Sequence, residues 1–325
     1  MASQDNGRNL QTVFGPVPSR RLGQSLGIDP LPGGKTCNWN CIYCQLGRTR
    51  PLTNQRRVYV PVDRILEDLR KALSGLEPTE VDWITFVASG ETLLHSGMGE
   101  LIRAVKELAP YPVAVITNGS LLFMPEVRRE LLPADAVMPS LDAGEAKLFR
   151  KITRHHRDLG FRQHVDGLMA FRAEYTGQLW LETMLMRDIN DGDRQLRDLA
   201  DVVARIRPDS LHLVSPTRPP VEPWVRPVTE EGLARARAIL GEAVEILQER
   251  PGVFELGEGE DPKEAVLAII IRHPMREDLL QEALAHWKDG VVDRVLAELA
   301  RDPRVQVVER FGCRFWSGSR QVYPD

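Results

Sequence analysis

Cysteine is scarce in this chain. Only four occur among 325 residues, and three fall in one eight-residue stretch, CNWNCIYC, from Cys37 to Cys44. The fourth, Cys313, lies near the C-terminus. Long apolar runs are missing too, and none would span a bilayer. The start, MASQDNGRNLQTV, is polar and lacks the apolar middle of a signal peptide. The expected location is therefore the cytoplasm, with no membrane partner. Thiols stay reduced there, and clustered cysteines point to metal or catalysis. Surplus positive charge is absent: 42 Lys and Arg against 46 Asp and Glu leave −4. Nothing global points to nucleic acid or an anionic membrane as partner, although a local basic surface is compatible with that figure. Long repeats and low-complexity tracts are absent as well.

What is there is a β–α rhythm from about residue 60. VDRILEDLRKALS, Val62 to Ser74, puts Ile65, Leu66, Leu69 and Leu73 on one helical face. DWITFVAS, PVAVITN, AVMPSLD, LWLETMLM and SLHLVS read as short buried strands, with helix-like stretches between them. Continuous apolar strands suit a parallel sheet covered by helices. With an early strand near SLGIDPLP, roughly six β/α units result, too few for a closed eight-unit barrel. Five prolines between Ser215 and Val228 then break the pattern. GLARARAILGEAVEIL predicts one connecting helix. From Asp261 onward the text reads as three helices and two short strands around Phe311–Gly312, a winged-helix-like module. The expected division is 1–228, an α/β partial barrel with an N-terminal extension; 229–260, a connecting helix and linker; and 261–325, the winged-helix-like module.

Three readings compete for Cys37, Cys41 and Cys44. An odd cluster in a reducing compartment argues against disulfides. Structural zinc wants four ligands, usually as two pairs. No second CxxC is evident, and nothing in the sequence places His155 and His156 beside the cysteines. An iron–sulfur cluster takes cysteine thiolates as its standard ligands. Three thiolates on a four-iron cube leave one iron open to another ligand.

CxxxCxxC with an aromatic residue before the last cysteine resembles the signature of the radical S-adenosylmethionine (SAM) superfamily. FGPVPSRRLGQSLGIDPLPGGKTCNWNCIYCQLG is similar to a subgroup of Fe–S oxidoreductases related to wyosine-synthase-like proteins. Similar blocks continue as VASGETLLH, VITNGSLL, PSLDAGE and LWLETMLMRDIND, so the likeness spans about residues 12 to 225. The resemblance implies a partial (β/α)6 barrel with a [4Fe–4S] cluster on Cys37, Cys41 and Cys44. It implies SAM as second cofactor, chelating the open iron and cleaved by one electron to methionine and a 5′-deoxyadenosyl radical that takes hydrogen from a substrate. It also implies an electron donor such as flavodoxin or ferredoxin.

Residue by residue, the likeness places Tyr43 against the adenine. In SGET, Gly90 lets backbone approach a ligand, and Glu91 stands where a charged hydrogen bond to the SAM ammonium is expected. Thr92 and Leu93 depart from the Pro-Thr usual there. Thr117 and Asn118 in TNGS, and Ser140 and Asp142 in PSLD, fall at strand ends, where barrel sites sit. Asp142 has a second reading as a helix N-cap. Glu182, amid apolar neighbours, needs a partner if buried: ribose hydroxyls, Arg20 or Arg21. Asn190 is a further SAM candidate. Arg20 and Arg21 suit an anionic substrate group, or a salt bridge, and Ser215 and Thr217 end the last strand on the substrate side.

For the C-terminal module, Asp293, Glu298 and Asp302 stand against Arg294 and Arg301 on its third helix. That is a poor face for phosphates. A structural, dimerising or substrate-recruiting role therefore ranks above DNA or RNA binding, although Arg310, Arg314 and Arg320 lie near the wing. The alternative function is an iron–sulfur redox-sensing regulator that binds DNA through the winged helix. Cys313 reads as a packed residue rather than a fourth ligand. Changing Cys41 to Ala should abolish iron–sulfur absorbance and SAM cleavage. Cys313→Ala should leave both intact, and loss of the absorbance in that variant would overturn the three-ligand assignment.

Overall fold

A computed structural model of the chain describes residues 11–241, 244–247, 261–284 and 290–324. It opens with an antiparallel hairpin, β1 (Val13–Ser19) and β2 (Gly23–Ile28). After the cysteine loop come α1 (Val62–Leu73), β3 (Trp83–Phe86), α2 (Met98–Leu108), β4 (Val113–Thr117), α3 (Pro125–Leu131) and β5 (Ala136–Pro139). Then follow α4 (Ala146–Thr153), α5 (Phe161–Glu174), β6 (Gln178–Met184), α6 (Asp193–Ile206), β7 (Ser210–Val214), α7 (Glu230–Leu240) and β8 (Val244–Ile246). The strands pair in sequence order, and from β2 to β8 every pairing is parallel. Among the described residues β1 and β8 are the edge strands and do not pair with each other, so the sheet is an open, partial barrel. β1 carries Pro16 and Pro18, which only an edge strand tolerates.

Burial follows the pattern that the sequence suggests. β5 and β7 are buried at every position, as strands covered on both faces must be. α1 buries Ile65, Leu66 and Leu69 and leaves its charges outside. One difference is informative. The connecting helix expected over 229–260 ends at Leu240, where Gly241 takes φ +94°. The chain then returns as β8 beside β7. A glycine in that conformation cannot continue a right-handed helix without cost. The linker part, 248–260, lies outside the described residues.

A small second core sits on the inner face of the sheet. Ala114, Ala136 and Met138 cluster there with Trp83, Ile116 and Trp180. Leu22, from the β1–β2 turn, is buried among them. The hairpin turn thus folds into the barrel, and it carries Arg20 and Arg21 inside with it.

The C-terminal segment forms α8 (Pro262–Ile270), β9 (Met275–Arg276), α9 (Glu277–Leu284), α10 (Val291–Leu299), β10 (Val305–Arg310) and β11 (Cys313–Gly318). Its three strands pair in the order β10-β11-β9. Phe311 and Gly312, at φ 56° and 73°, make the tight β10–β11 turn. A core of its own includes Val266, Ile270, Leu280, Leu284, Leu299 and Trp316.

One buried ion pair ties this segment to the barrel. Asp29, just after β2, is fully buried and accepts hydrogen bonds from Leu31 N (2.9 Å), Ser89 N (3.0 Å) and Ser89 Oγ (2.6 Å). Arg272, just after α8, donates to it from Nε at 3.2 Å and lies over the Phe14 ring. Breaking a buried pair leaves an uncompensated charge. Arg272→Met should therefore cost about 3–5 kcal/mol in urea unfolding. Adding Asp29→Asn should recover part of that loss, and a double variant less stable than the single one would contradict this account.

Candidate active site

The cysteine loop has no regular structure, so other elements satisfy its backbone. Asn40 N donates to Thr153 O (2.8 Å) and Ile42 N to Ile152 O (3.0 Å), both at the end of α4. Ile42 O accepts from Glu222 N (3.0 Å) in the proline-rich segment. Trp39 anchors the loop, fully buried against Phe149 and His164 at ring distances of 5.3 and 5.4 Å. On the β3 side Thr36 N donates to Ser89 O and Glu91 N to Thr36 O, each at 2.9 Å. Gly90, at φ +143°, makes that approach possible, because a Cβ there would lie 1.7 Å from Thr36 O.

All three cysteines of the loop are free. Burial pushes the Cys37 thiol up to about 12, with Lys35 pulling the other way. Burial, then its neighbours Cys44 and Cys37, raise Cys41 well above the usual range. Lys35 donates to Gly47 O at 2.5 Å. Burial lowers its pKa, but the charges of Cys44, Cys37 and Cys41 outweigh that and raise it overall. Three thiolates here would carry more negative charge than one lysine offsets, so the donor set suits a cationic centre. Among the described residues no group of three His, Cys, Asp or Glu is arranged around a single metal ion. A polynuclear iron–sulfur cluster, with one thiolate per iron, does not ask for convergence on one point. The three cysteines therefore fit such a cluster.

Beside the loop, the strand ends form two hydrogen-bonded groups. In the first, buried Glu91 accepts from Leu93 N (3.0 Å), Thr117 Oγ1 (2.5 Å) and Asn118 N (2.7 Å). Burial raises its pKa, and these three donors oppose the rise. Asn118 Nδ2 donates to Asn38 Oδ1 (2.8 Å) in the cysteine loop. Asn38 Nδ2 in turn reaches Ser120 Oγ at 2.8 Å. In the second group, Tyr43 donates its hydroxyl to Asp142 Oδ2 (2.7 Å), and Met184 N donates to Oδ1 (2.8 Å). Burial pushes Asp142 up to about 7 against both bonds. The N-cap of α4 is Glu145, which accepts from Lys147 N and Leu148 N, so the second reading of Asp142 falls away.

Glu182 alternates with buried Leu181 and Thr183 along β6 and pairs with Arg21. Arg20 donates to Thr217 Oγ1 at 2.5 Å. Ser140 bridges to Glu182 across β5 and β6, and its carbonyl accepts from His164 Nε2 at 3.0 Å. Ser215 Oγ accepts from Val228 N (3.1 Å) and so holds the proline-rich segment. Asn190 is spent on backbone: it accepts from Met186 N and donates to the Asp142 and Met184 carbonyls. Sequence reasoning missed Lys35, Asn38, Asp29 and His164. Lys35 and Asn38 had only their closeness to Cys37 as a signal, and Asp29 and His164 had none.

Burial pushes His164 down to about 4 against its bond to Ser140 O. The unfolded chain takes up this proton near pH 6.5, whereas the folded chain refuses it until about pH 4. Stability from this residue is thus complete above pH 6.5 and falls by up to roughly 3 kcal/mol as pH drops through that window. His164→Gln should lose this slope. Urea titrations from pH 7 to 4.5 that run parallel for the two proteins would count against it.

Comparison with known proteins agrees with this geometry. The Radical SAM superfamily model matches residues 31–200. A UPF0026 protein of Methanocaldococcus jannaschii is 35% identical over 85% of this chain and 86% of its own length. A longer Brachyspira hyodysenteriae protein, named GTPase Obg, is 40% identical over 81% of this chain, but the match spans only 38% of that protein. The crystal structure of a radical SAM methyltransferase from Sphaerobacter thermophilus shares the fold, with TM-score 0.53 at 19% identity over 68% of this chain and 66% of that one. The chain therefore belongs to the radical SAM superfamily and, within it, to the UPF0026 proteins.

Proposed function

We propose that this protein is a radical SAM enzyme that binds a [4Fe–4S] cluster through Cys37, Cys41 and Cys44 and acts on a substrate bearing an anionic group. The observation that carries the reading is three free thiols, Cys37 buried and Cys41 and Cys44 half-buried, gathered in a loop that is itself pinned to the β3 turn at Gly90. When bound, the cluster supplies the one electron that splits SAM into methionine and a 5′-deoxyadenosyl radical, which takes hydrogen from the substrate.

The chain's own residues position and enclose. Glu91 keeps room on Oε2 for one more donor, which suits the SAM ammonium beside the backbone of Gly90. Thr117 and Asn118 hold that carboxylate and link it to the cysteine loop. Tyr43, its ring oriented through Asp142, suits the adenine. Ser140, just after β5, and Glu182, on β6, would suit ribose hydroxyls. Arg20 and Arg21, carried inside the barrel by the hairpin turn, suit a carboxylate or phosphate of the substrate, with Thr217 and Ser215 at the rim. A tRNA base, a peptide or a small molecule all meet that description. The reading calls for an electron donor such as flavodoxin or ferredoxin and a cytoplasmic location. Among the described residues no helix is long and apolar enough to cross a membrane.

The order of helices and strands from α8 to β11 supports reading the C-terminal segment as winged-helix-like. DNA binding is not favoured. On α10 Arg294 pairs with Glu298, and Asp293 stands in its first turn. Asp302 is bound by Lys263 and Arg304.

Anaerobic incubation of the reconstituted protein with dithionite and SAM should yield 5′-deoxyadenosine. Glu91→Ala, which cuts a charged hydrogen-bond set, should lower that rate by about tenfold or more. An intact cluster with no product in the wild type would refute the enzyme reading.

A further inference from the structure

The residue directly after Cys44 is a meeting point of three distant parts of the chain. Gln45 Oε1 accepts from Arg218 Nη1 (2.9 Å) of the proline-rich segment. Its Nε2 faces Arg272 O and His273 Nδ1, each at 3.4 Å, at the end of α8. Its carbonyl accepts the Tyr323 hydroxyl. Three residues further on, Arg48 N donates to Val322 O at 2.8 Å. Between them Gly47, at φ +74°, lies so close to the tail that a Cβ would stand 2.6 Å from Val322 N. The carbonyl of Gly47 accepts from Lys35. The tail is itself braced: Gln321 Nε2 donates to Ile271 O, and Gln321 Oε1 accepts from Ser317 Oγ.

We propose that the tail Gln321–Tyr323 is a working part of the cysteine centre: it holds the Gln45–Arg48 arm and thereby fixes Cys44 as a cluster ligand. This rests on the reading that Cys37, Cys41 and Cys44 carry the cluster. It gives the C-terminal segment a task at the active site that calls for no nucleic acid. Cys37 and Cys41 are held by α4, the β3 turn and Trp39, whereas among the described residues the backbone at Cys44 and Gly47 bonds only within the loop, Cys44 N to Cys41 O and Gly47 N to Cys44 O. The tail supplies a contact from outside the loop. A glycine at 47 and a hydroxyl at 323 are the features that permit so close a contact, and both positions are positioning residues rather than catalytic ones.

The test is iron release from the reconstituted full-length protein to bathophenanthroline under anaerobic, reducing conditions. It is read together with the electron paramagnetic resonance spectrum of the reduced cluster. Tyr323→Phe removes only a hydroxyl and should speed iron release by about two- to tenfold, with an altered resonance line and a near-normal thermal midpoint. Deleting residues 321–325 should speed release further. A control at exposed Val307 on β10, Val307→Ala, should change neither readout. Release and spectrum identical to wild type in Tyr323→Phe would overturn the proposal even if the deletion variant failed to fold. Wild-type protein that takes up no cluster would instead overturn the reading on which it rests.

Discussion

The structure turns on how closely two pieces of backbone approach each other. Gly90 and Thr36 come together at a distance that no side chain on residue 90 would permit. That approach clamps the start of the cysteine loop to the end of β3. Glu91, the next residue, then reaches across to Thr117 and Asn118, and Asn118 reaches back to Asn38 beside Cys37. A closed circuit of hydrogen bonds results, built from loop, β3 end and β4 end. The thiols are consequently not placed by the loop's own conformational preference. They are placed by a sheet whose parallel strands all present their C-terminal ends to one side.

Much of this was legible in the sequence, for identifiable reasons. Short continuous apolar runs announced parallel strands, and the strand ends at SGET, TNGS, PSLD and LETM carry residues that do meet around the cysteine loop. The sequence offered Glu182 ribose hydroxyls, Arg20 or Arg21 as partners, because a carboxylate amid apolar neighbours is costly to leave alone; half-buried in the structure, it pairs with Arg21. The misses share a cause. Helix propensity ran unbroken through GLARARAILGEAVEIL, and only the left-handed turn at Gly241 tells that β8 follows. Asn190 looked like a ligand contact because polar residues in site loops often are, yet its amide is used up on backbone. Asp29 and Arg272 owe their importance to partners tens or hundreds of residues away, which local pattern does not encode.

The hairpin turn at residues 19–23 solves a second problem. The inner face of the sheet is apolar, with Ala114, Ala136 and Met138 beside Trp83 and Trp180. Leu22 packs among those residues, and the same turn brings Arg20 to Thr217 and Arg21 to Glu182. Filling and charge arrive on one short segment. The pairing of Arg21 with Glu182 keeps that charge from standing alone in a poorly hydrated place.

The grip on the cysteine loop also orders events in time. Cys44 is made early in synthesis, but its loop is held by residues near 152, 222 and 322. A ribosome must therefore deliver nearly three hundred further residues before the last of those contacts can form. Until then the thiols lie on an unsupported segment, open to solvent and to oxidation. Closure of the cysteine loop thus waits until residue 322 has been made, and a product that stops short of it would carry the cysteines without that contact.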